Sequence, residues 1–204
     1  MNVPASVEGR ERLRLFCALR LPDDAVEKLS RWQTETFAHA DGVRVLEREQ
    51  LHVTLAFLGH RPAGELEPIT AELRAAARAA EQAALTVTGY RETRSVGMLV
   101  CADEGGRAAR LAVDLHERLE RLGVYERERR GWLPHVTVIR FRHRPRLEPP
   151  LPELGTVVTS EAAVYESVLR GASGPQYKVL QNCTIGIVPG PARSQRDNES
   201  DNAP

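Results

Sequence analysis

A chain of 204 residues suffices for one globular domain or two small lobes sharing a core, and an apolar fraction of 42% excludes a disordered chain. The 28 basic and 28 acidic residues balance, so bulk charge does not mark a nucleic-acid binder and any basic surface is local. All basic residues except Lys28 and Lys178 are Arg; this bias fits the codon usage of a GC-rich genome better than a dedicated phosphate-binding surface.

The polar residues 1–12 read as a flexible N-terminus without the apolar core of a secretory signal, so a cytoplasmic location is expected. Arg14 to Leu21 is a short apolar strand. Pro22-Asp23-Asp24 then opens a helix to about Ala38, with proline in the first turn and two acids at the positive end of the dipole. Val26, Leu29, Trp32 and Phe37 form its apolar stripe. Val43 to Leu46 and Leu51 to Leu58 read as strands, the second stopped by Gly59. The Ala/Glu/Arg-rich segment Gly64 to Ala84 predicts one helix with Leu66, Ile69 and Leu73 facing inward.

Leu85 to Tyr90 alternates with period two and reads as a strand, and Gly97 to Ala102 as the next. After Gly105-Gly106, Arg107 to Leu122 predicts a helix closed by Gly123. Tyr125 to Gly131 is a mixed-charge loop, more simply solvated than bound to RNA phosphates. Leu133 to Phe141 is a strand, and Pro145 to Pro152 a connector. Val157 to Leu169 and Tyr177 to Ile187 are strands joined by Gly171 to Pro175, and the polar tail 189–204 is expected to be disordered. The order β-α-β-β-α-β-β-α-β-β-β, with strands adjacent in sequence, indicates α+β with mostly antiparallel sheet. Cys17, Cys101 and Cys183, odd in number and far apart, exclude a disulfide framework or zinc knuckle and read as buried free thiols. No run approaches a membrane span, and no glycine-rich nucleotide fingerprint appears.

Two segments repeat a pattern: Leu51-His52-Val53-Thr54-Leu55 and Pro134-His135-Val136-Thr137-Val138. In a strand, residues i and i+2 share a face, so each motif presents an imidazole beside a hydroxyl while its central Val turns into a core. A lone strand His is more often a hydrogen-bonded structural residue. Two matched His/Thr pairs on apolar strands are costly to bury, and a solvated cleft for a polar ligand explains them better. Two imidazoles supply one proton acceptor for water and one donor for a leaving oxygen, and two hydroxyls can hold the non-bridging oxygens of a phosphate. Nothing resembles a His-Glu-x-x-His site and Thr ligates zinc poorly, so no metal or cofactor is expected.

With these flanks the sequence resembles the 2H phosphoesterase superfamily, in its RNA 2′,3′-cyclic phosphodiesterase branch, historically called 2′-5′ RNA ligase. The resemblance runs over residues 13–188. It rests on Arg14-Leu15-Phe16, His52 to Gly59, His135 to Arg140, Tyr165 to Leu169, and Gly174 to Tyr177. It implies one bilobal domain over 13–188, with two pseudo-symmetric lobes of antiparallel sheet backed by helices and a central cleft. It also implies hydrolysis of RNA 3′ ends or nucleotides bearing a 2′,3′-cyclic phosphate to 2′-phosphates, with His52 as proton donor, His135 as proton acceptor, and Thr54 and Thr137 on the phosphate.

Family members often carry a phosphate-binding Arg at the place of Arg140. Five residues after His135, strict alternation puts it on the opposite face, so it needs a bend or the strand end to reach the cleft. Phe57 stands at the same offset from His52, as a base-stacking candidate or a plain core residue, and Tyr177 is a candidate for lining the cleft. His60, His116 and His143 are expected at the surface and His39 at a helix end. A monomer is expected. The alternatives are 2′-5′ ligation at the same site, with a 5′-hydroxyl replacing water, or a non-catalytic RNA-end binding module.

Overall fold

The computed structural model describes residues 11–169 and 174–186. The expectations for the first ten residues, for 171–173 and for the tail from 189 lie outside the described residues.

The chain runs β1 (Arg12–Arg20), α1 (Asp23–Phe37), β2 (Val43–Val45), β3 (His52–Pro62), α2 (Leu66–Ala79), β4 (Ala83–Glu92), β5 (Val96–Asp103), α3 (Arg107–Arg121), β6 (His135–Phe141), β7 (Thr156–Thr159), β8 (Glu161–Leu169) and β9 (Pro175–Thr184). Pro22 and the acids Asp23 and Asp24 open α1 as their chemistry dictates. The N-terminus of α3 is capped from a distance: Asp103 accepts the amides of Ala108 and Ala109 at 3.1 and 2.8 Å.

All strands join one antiparallel sheet in the order β7-β4-β5-β6-β3-β1-β8-β9, with β2 also paired to β6. The two lobes are the halves β7-β4-β5-β6 and β3-β1-β8-β9, fused into a continuous sheet. The helices lie on one face: α2 over β8 and β9, α3 over β3, β4 and β5, and α1 beside β2. Between helices and sheet sits the main core, with Leu15, Leu19, Ile69, Leu73, Leu115 and Ile139 at 0% exposure. A separate small cluster, Phe16, Ala18, Ala163 and Tyr165 with Tyr177 against it, occupies the opposite face. The thiols of Cys17, Cys101 and Cys183 are free and buried. No helix among the described residues is long and apolar enough to cross a membrane.

Two expectations need correction. The helix expected over 64–84 ends at Ala79, where the Gly186 amide donates to the Ala77 carbonyl at 3.0 Å. Ala83 and Ala84 instead pair with Thr159 and Val158, so tertiary ladder bonds outweigh alanine's helix propensity. The strand expected over 157–169 breaks at Ser160. β7 pairs with β4 and β8 with β1, so one apolar run serves both lobes, and its continuous hydrophobicity conceals the change of partner.

Candidate active site

The lobes meet at the two His-x-Thr motifs. Val53 on β3 and Val136 on β6 are Cα partners. Both are buried, at 0% and 3% exposure, on the helix-covered face. Antiparallel register carried one residue either way sets His52 across from Thr137 and Thr54 across from His135. Residues directly opposite share a face, so all four polar side chains emerge on the side away from the helices. All four are half-buried.

The two imidazoles have different surroundings. His135 Nδ1 lies 2.8 Å from the Leu133 carbonyl. A carbonyl only accepts, so the neutral ring carries its proton on Nδ1, and Nε2 is left with a free lone pair. His52 is enclosed by Phe16, Tyr177 and Tyr165, with ring centroids at 4.9, 5.5 and 5.6 Å. Burial pulls its pKa down to about 4. The Gln50 carbonyl opposes this, while His135 and the Arg140 guanidinium add to it. Gln50 stands two residues before His52, as Leu133 does before His135, but His52 Nδ1 is buried without a well-formed hydrogen bond.

Arg140 reaches the site through a β-bulge. On β6, Thr137 pairs with Met98 and Ile139 with Gly97, so Val138 is an extra residue and alternation shifts by one. Val138 and Ile139 are both buried on the helix side, and Arg140 returns to the face of His135 and Thr137. Gly97 makes room for this turn: a Cβ there would stand 2.6 Å from Ile139 Cγ1. The guanidinium of Arg140 places Nη2 3.4 Å from Tyr177 Oη, and its Nε is buried with no partner. An unsatisfied cationic donor on a face that already gathers imidazoles and hydroxyls suits an anion.

The first lobe repeats the device at the same offset. On β1 and β3, Ala18 pairs with Thr54 and Cys17 with Ala56, so Leu55 is the extra residue, three after His52 as Val138 is three after His135. Phe57 consequently shares the face of His52 and Thr54. It is 49% exposed, not core, and the Arg14 guanidinium lies 4.9 Å from its ring centroid. Tyr177 also lies on this face, edge-on to Phe16 and His52. All seven candidate residues are therefore brought together.

Sequence reasoning missed Phe16 and Tyr165, which stack with centroids 4.9 Å apart beside His52. β1 is apolar on both faces, so alternation gave no sign that Phe16 belongs to the site. It also misplaced His116, expected at the surface and in fact 5% exposed, its ring held by the Leu55 carbonyl at 2.8 Å and packed on Tyr125. In the loop after Tyr125, Arg127 pairs with Glu117 and Glu120 of α3 and Arg130 with Glu128 of the loop itself. Among the described residues, no group of three or more His, Cys, Asp or Glu is placed to hold a metal ion.

Residues 19–95 match the family description "LigT like Phosphoesterase". A protein of Thermus thermophilus named RNA 2′,3′-cyclic phosphodiesterase is 33% identical over 196 residues, covering 92% of this chain and 98% of the relative. The chain belongs to the LigT-like phosphoesterase family, within the 2H superfamily. The fold agrees. The crystal structure of the Thermus thermophilus protein TT0787 superposes with a TM-score of 0.72 at 30% identity, over 85% of this chain and 98% of that one. Escherichia coli LigT complexed with 3′-AMP shares the fold at 22% identity and a TM-score of 0.72, over 87% of this chain and 100% of that one. As a LigT-like phosphoesterase the protein acts on phosphate esters, and the face carrying His52, Thr54, His135, Thr137 and Arg140 gathers side chains suited to a phosphate.

Proposed function

We propose that this phosphoesterase hydrolyses 2′,3′-cyclic phosphate ends of RNA to 2′-phosphates, without a metal, by general acid–base catalysis between His52 and His135. The observation that carries this reading is the Val53–Val136 register, which sets each motif's imidazole across from the other's hydroxyl. The name of the Thermus relative supports the substrate class, and the 3′-AMP bound by Escherichia coli LigT supports a nucleotide end as ligand.

In this mechanism His135 Nε2, the free lone pair, takes a proton from water as the water oxygen bonds to phosphorus. The P–O3′ bond opposite breaks, and His52 protonates the departing 3′-oxygen. The 2′-oxygen keeps the phosphate. Thr54 and Thr137 hydroxyls and the Arg140 guanidinium donate to the non-bridging oxygens, where negative charge is concentrated in the transition state. His52 is neutral in the free protein because burial lowers its pKa to about 4. An anionic phosphate entering the same enclosure favours the imidazolium, so substrate binding itself prepares the acid. Phe57 offers an exposed ring on which the terminal base can stack.

The test is incubation of the purified protein, in EDTA, with a short RNA ending in a 2′,3′-cyclic phosphate. A 2′-phosphate product, lost on His52→Ala and on His135→Ala, is expected. A 3′-phosphate product would reverse the orientation of the leaving group, and strict metal dependence would sink the metal-free mechanism. Joining to a 5′-hydroxyl end in preference to hydrolysis would make the protein a ligase. Retained binding with no turnover would make it an RNA-end binding module.

A further inference from the structure

The two bulges that bring Phe57 and Arg140 onto the catalytic face each turn a backbone carbonyl toward the helix layer. Past Val53 and Val136 the paired strands part, β6 taking β2 as its partner from Ile139 onward. The bulge carbonyls of Leu55 and Val138 are met by side chains from the helix layer, the Val138 oxygen while also accepting the Leu46 amide at 3.1 Å. His116 of α3 places Nε2 2.8 Å from the Leu55 oxygen, and Gln33 of α1 donates Nε2–H to the Val138 oxygen at 2.5 Å. Since a carbonyl only accepts, His116 holds its proton on Nε2 and donates.

Both side chains are buried, His116 at 5% and Gln33 at 0% exposure, in a helix layer whose other buried residues are apolar apart from Thr70. Gln33 keeps its place although its own Oε1 has no partner, so the amide is buried at a net desolvation cost that only its donor offsets. The two contacts occupy equivalent places in the two lobes: a polar helix residue, a carbonyl three residues after the catalytic His, and a substrate-facing side chain two residues further on.

We infer that His116 and Gln33 are positioning residues: by capping the bulge carbonyls of Leu55 and Val138 they fix the bulges that hold Phe57 and Arg140 on the face of the His-x-Thr motifs. Neither touches the reacting atoms. The inference rests on the reading of Arg140 as a phosphate contact and Phe57 as a base contact. Without its helix-layer donor a bulge loses a buried hydrogen bond that helps hold its extra residue in place, and a one-residue slip turns the following side chain to the opposite face. Gln33 accordingly acts on phosphate stabilisation through Arg140, and His116 on base recognition through Phe57.

Double-mutant cycles on the full-length protein test this, because residues acting through one another are not additive. Gln33→Met removes the donor at nearly constant volume and is expected to lower kcat about tenfold or more. The same change in an Arg140→Ala background is expected to do almost nothing further. His116→Met is expected to raise KM and flatten discrimination between terminal bases, with no added effect in a Phe57→Ala background, while His116→Gln, which keeps a donor, restores wild-type values. Should Gln33→Met fail to fold, Gln33→Asn, one methylene too short to reach, replaces it. Folded variants with wild-type kinetics, or losses of equal size with and without Arg140 and Phe57, would overturn the inference. Inactivity of the wild type on cyclic phosphates would sink the proposed function alone; the same cycles are then read from affinity for 3′-AMP, by the same criteria.

Discussion

Phe16 and Tyr165 stack in near-parallel, 4.9 Å apart and 5° from coplanar, and together they wall one side of His52. Their rings exclude the water that would otherwise solvate an imidazolium, and this burial is the first cause of the fall of the His52 pKa to about 4. An NMR titration of the free protein is expected to show His52 neutral down to about pH 4. Phe16→Ala, by admitting water, moves the midpoint upward toward the ordinary histidine value, and so does a bound phosphate or 3′-nucleotide, through its negative charge. A His52 that titrates near 6.5 in the free wild type would remove the physical basis for a substrate-prepared acid.

The same residue sets an acid limit on stability. The His52 pKa is lower folded than unfolded, so between about pH 6.5 and about pH 4 the unfolded chain binds a proton that the native protein does not. Stability therefore rises with pH across this window; the contribution is present above pH 6.5 and is lost as pH falls toward 4. His52→Gln has no such group and is expected to lose less melting temperature than the wild type between pH 7 and pH 4.5, although the proposed mechanism makes it inactive. Parallel melting curves for the two proteins would contradict this.

Turnover separates the four motif side chains by role. In the proposed mechanism His52→Ala and His135→Ala each remove a proton-transfer group, and each is expected to cost about 10²–10⁴-fold in kcat. Thr54→Val and Thr137→Val remove one hydroxyl donor of two and keep the strand's β-branched packing, so each is expected to cost less than the loss of either imidazole. Single-turnover rates on a cyclic-phosphate RNA end compare them directly. A Thr variant slower than both His variants would assign the proton chemistry elsewhere.

The helices, most strands and the motif pair were legible in the sequence because each is a local pattern: apolar stripes at 3.6 spacing, Pro and Gly punctuation, and His-x-Thr between aliphatic residues. Arg140 shows where legibility ends. Alternation puts it on the wrong face, and only the register of β5 against β6 reveals Val138 as an extra residue. His116 fails for the same reason in reverse. A histidine on a charged helix reads as solvent-facing until β3 is known to bulge at Leu55 and offer it a carbonyl. The break at Ser160 is likewise a matter of pairing partner, which no hydrophobicity pattern records. What the sequence hides here is non-local backbone pairing, and the candidate site depends on it at two of its seven residues.

Glu92 gives the last prediction, away from the chemistry. Its side chain is 2% exposed and accepts from Arg144 Nε at 3.0 Å, the Arg146 and Leu147 amides at 3.0 and 2.8 Å, and Tyr90 Oη at 3.2 Å. It thereby pins the start of the connector after β6, where Arg146 takes a positive φ of 58°. Burial alone would push its carboxyl up, but these donors together hold it below the usual glutamate value. A depressed folded-state pKa stabilises above the unfolded value and loses that contribution as pH falls through the folded one. Glu92→Gln swaps charge-assisted bonds for neutral ones and turns an NH₂ toward donors that need an acceptor, so it is expected to cost about 2 kcal/mol at pH 7 and much less at pH 3. Because Glu92 lies outside the His-x-Thr face, kcat on a cyclic-phosphate end is expected to stay within about twofold of wild type. Chemical denaturation at the two pH values, read beside kcat, decides it: an equal loss at both pH values would mean that the carboxylate's charge is not what holds the connector.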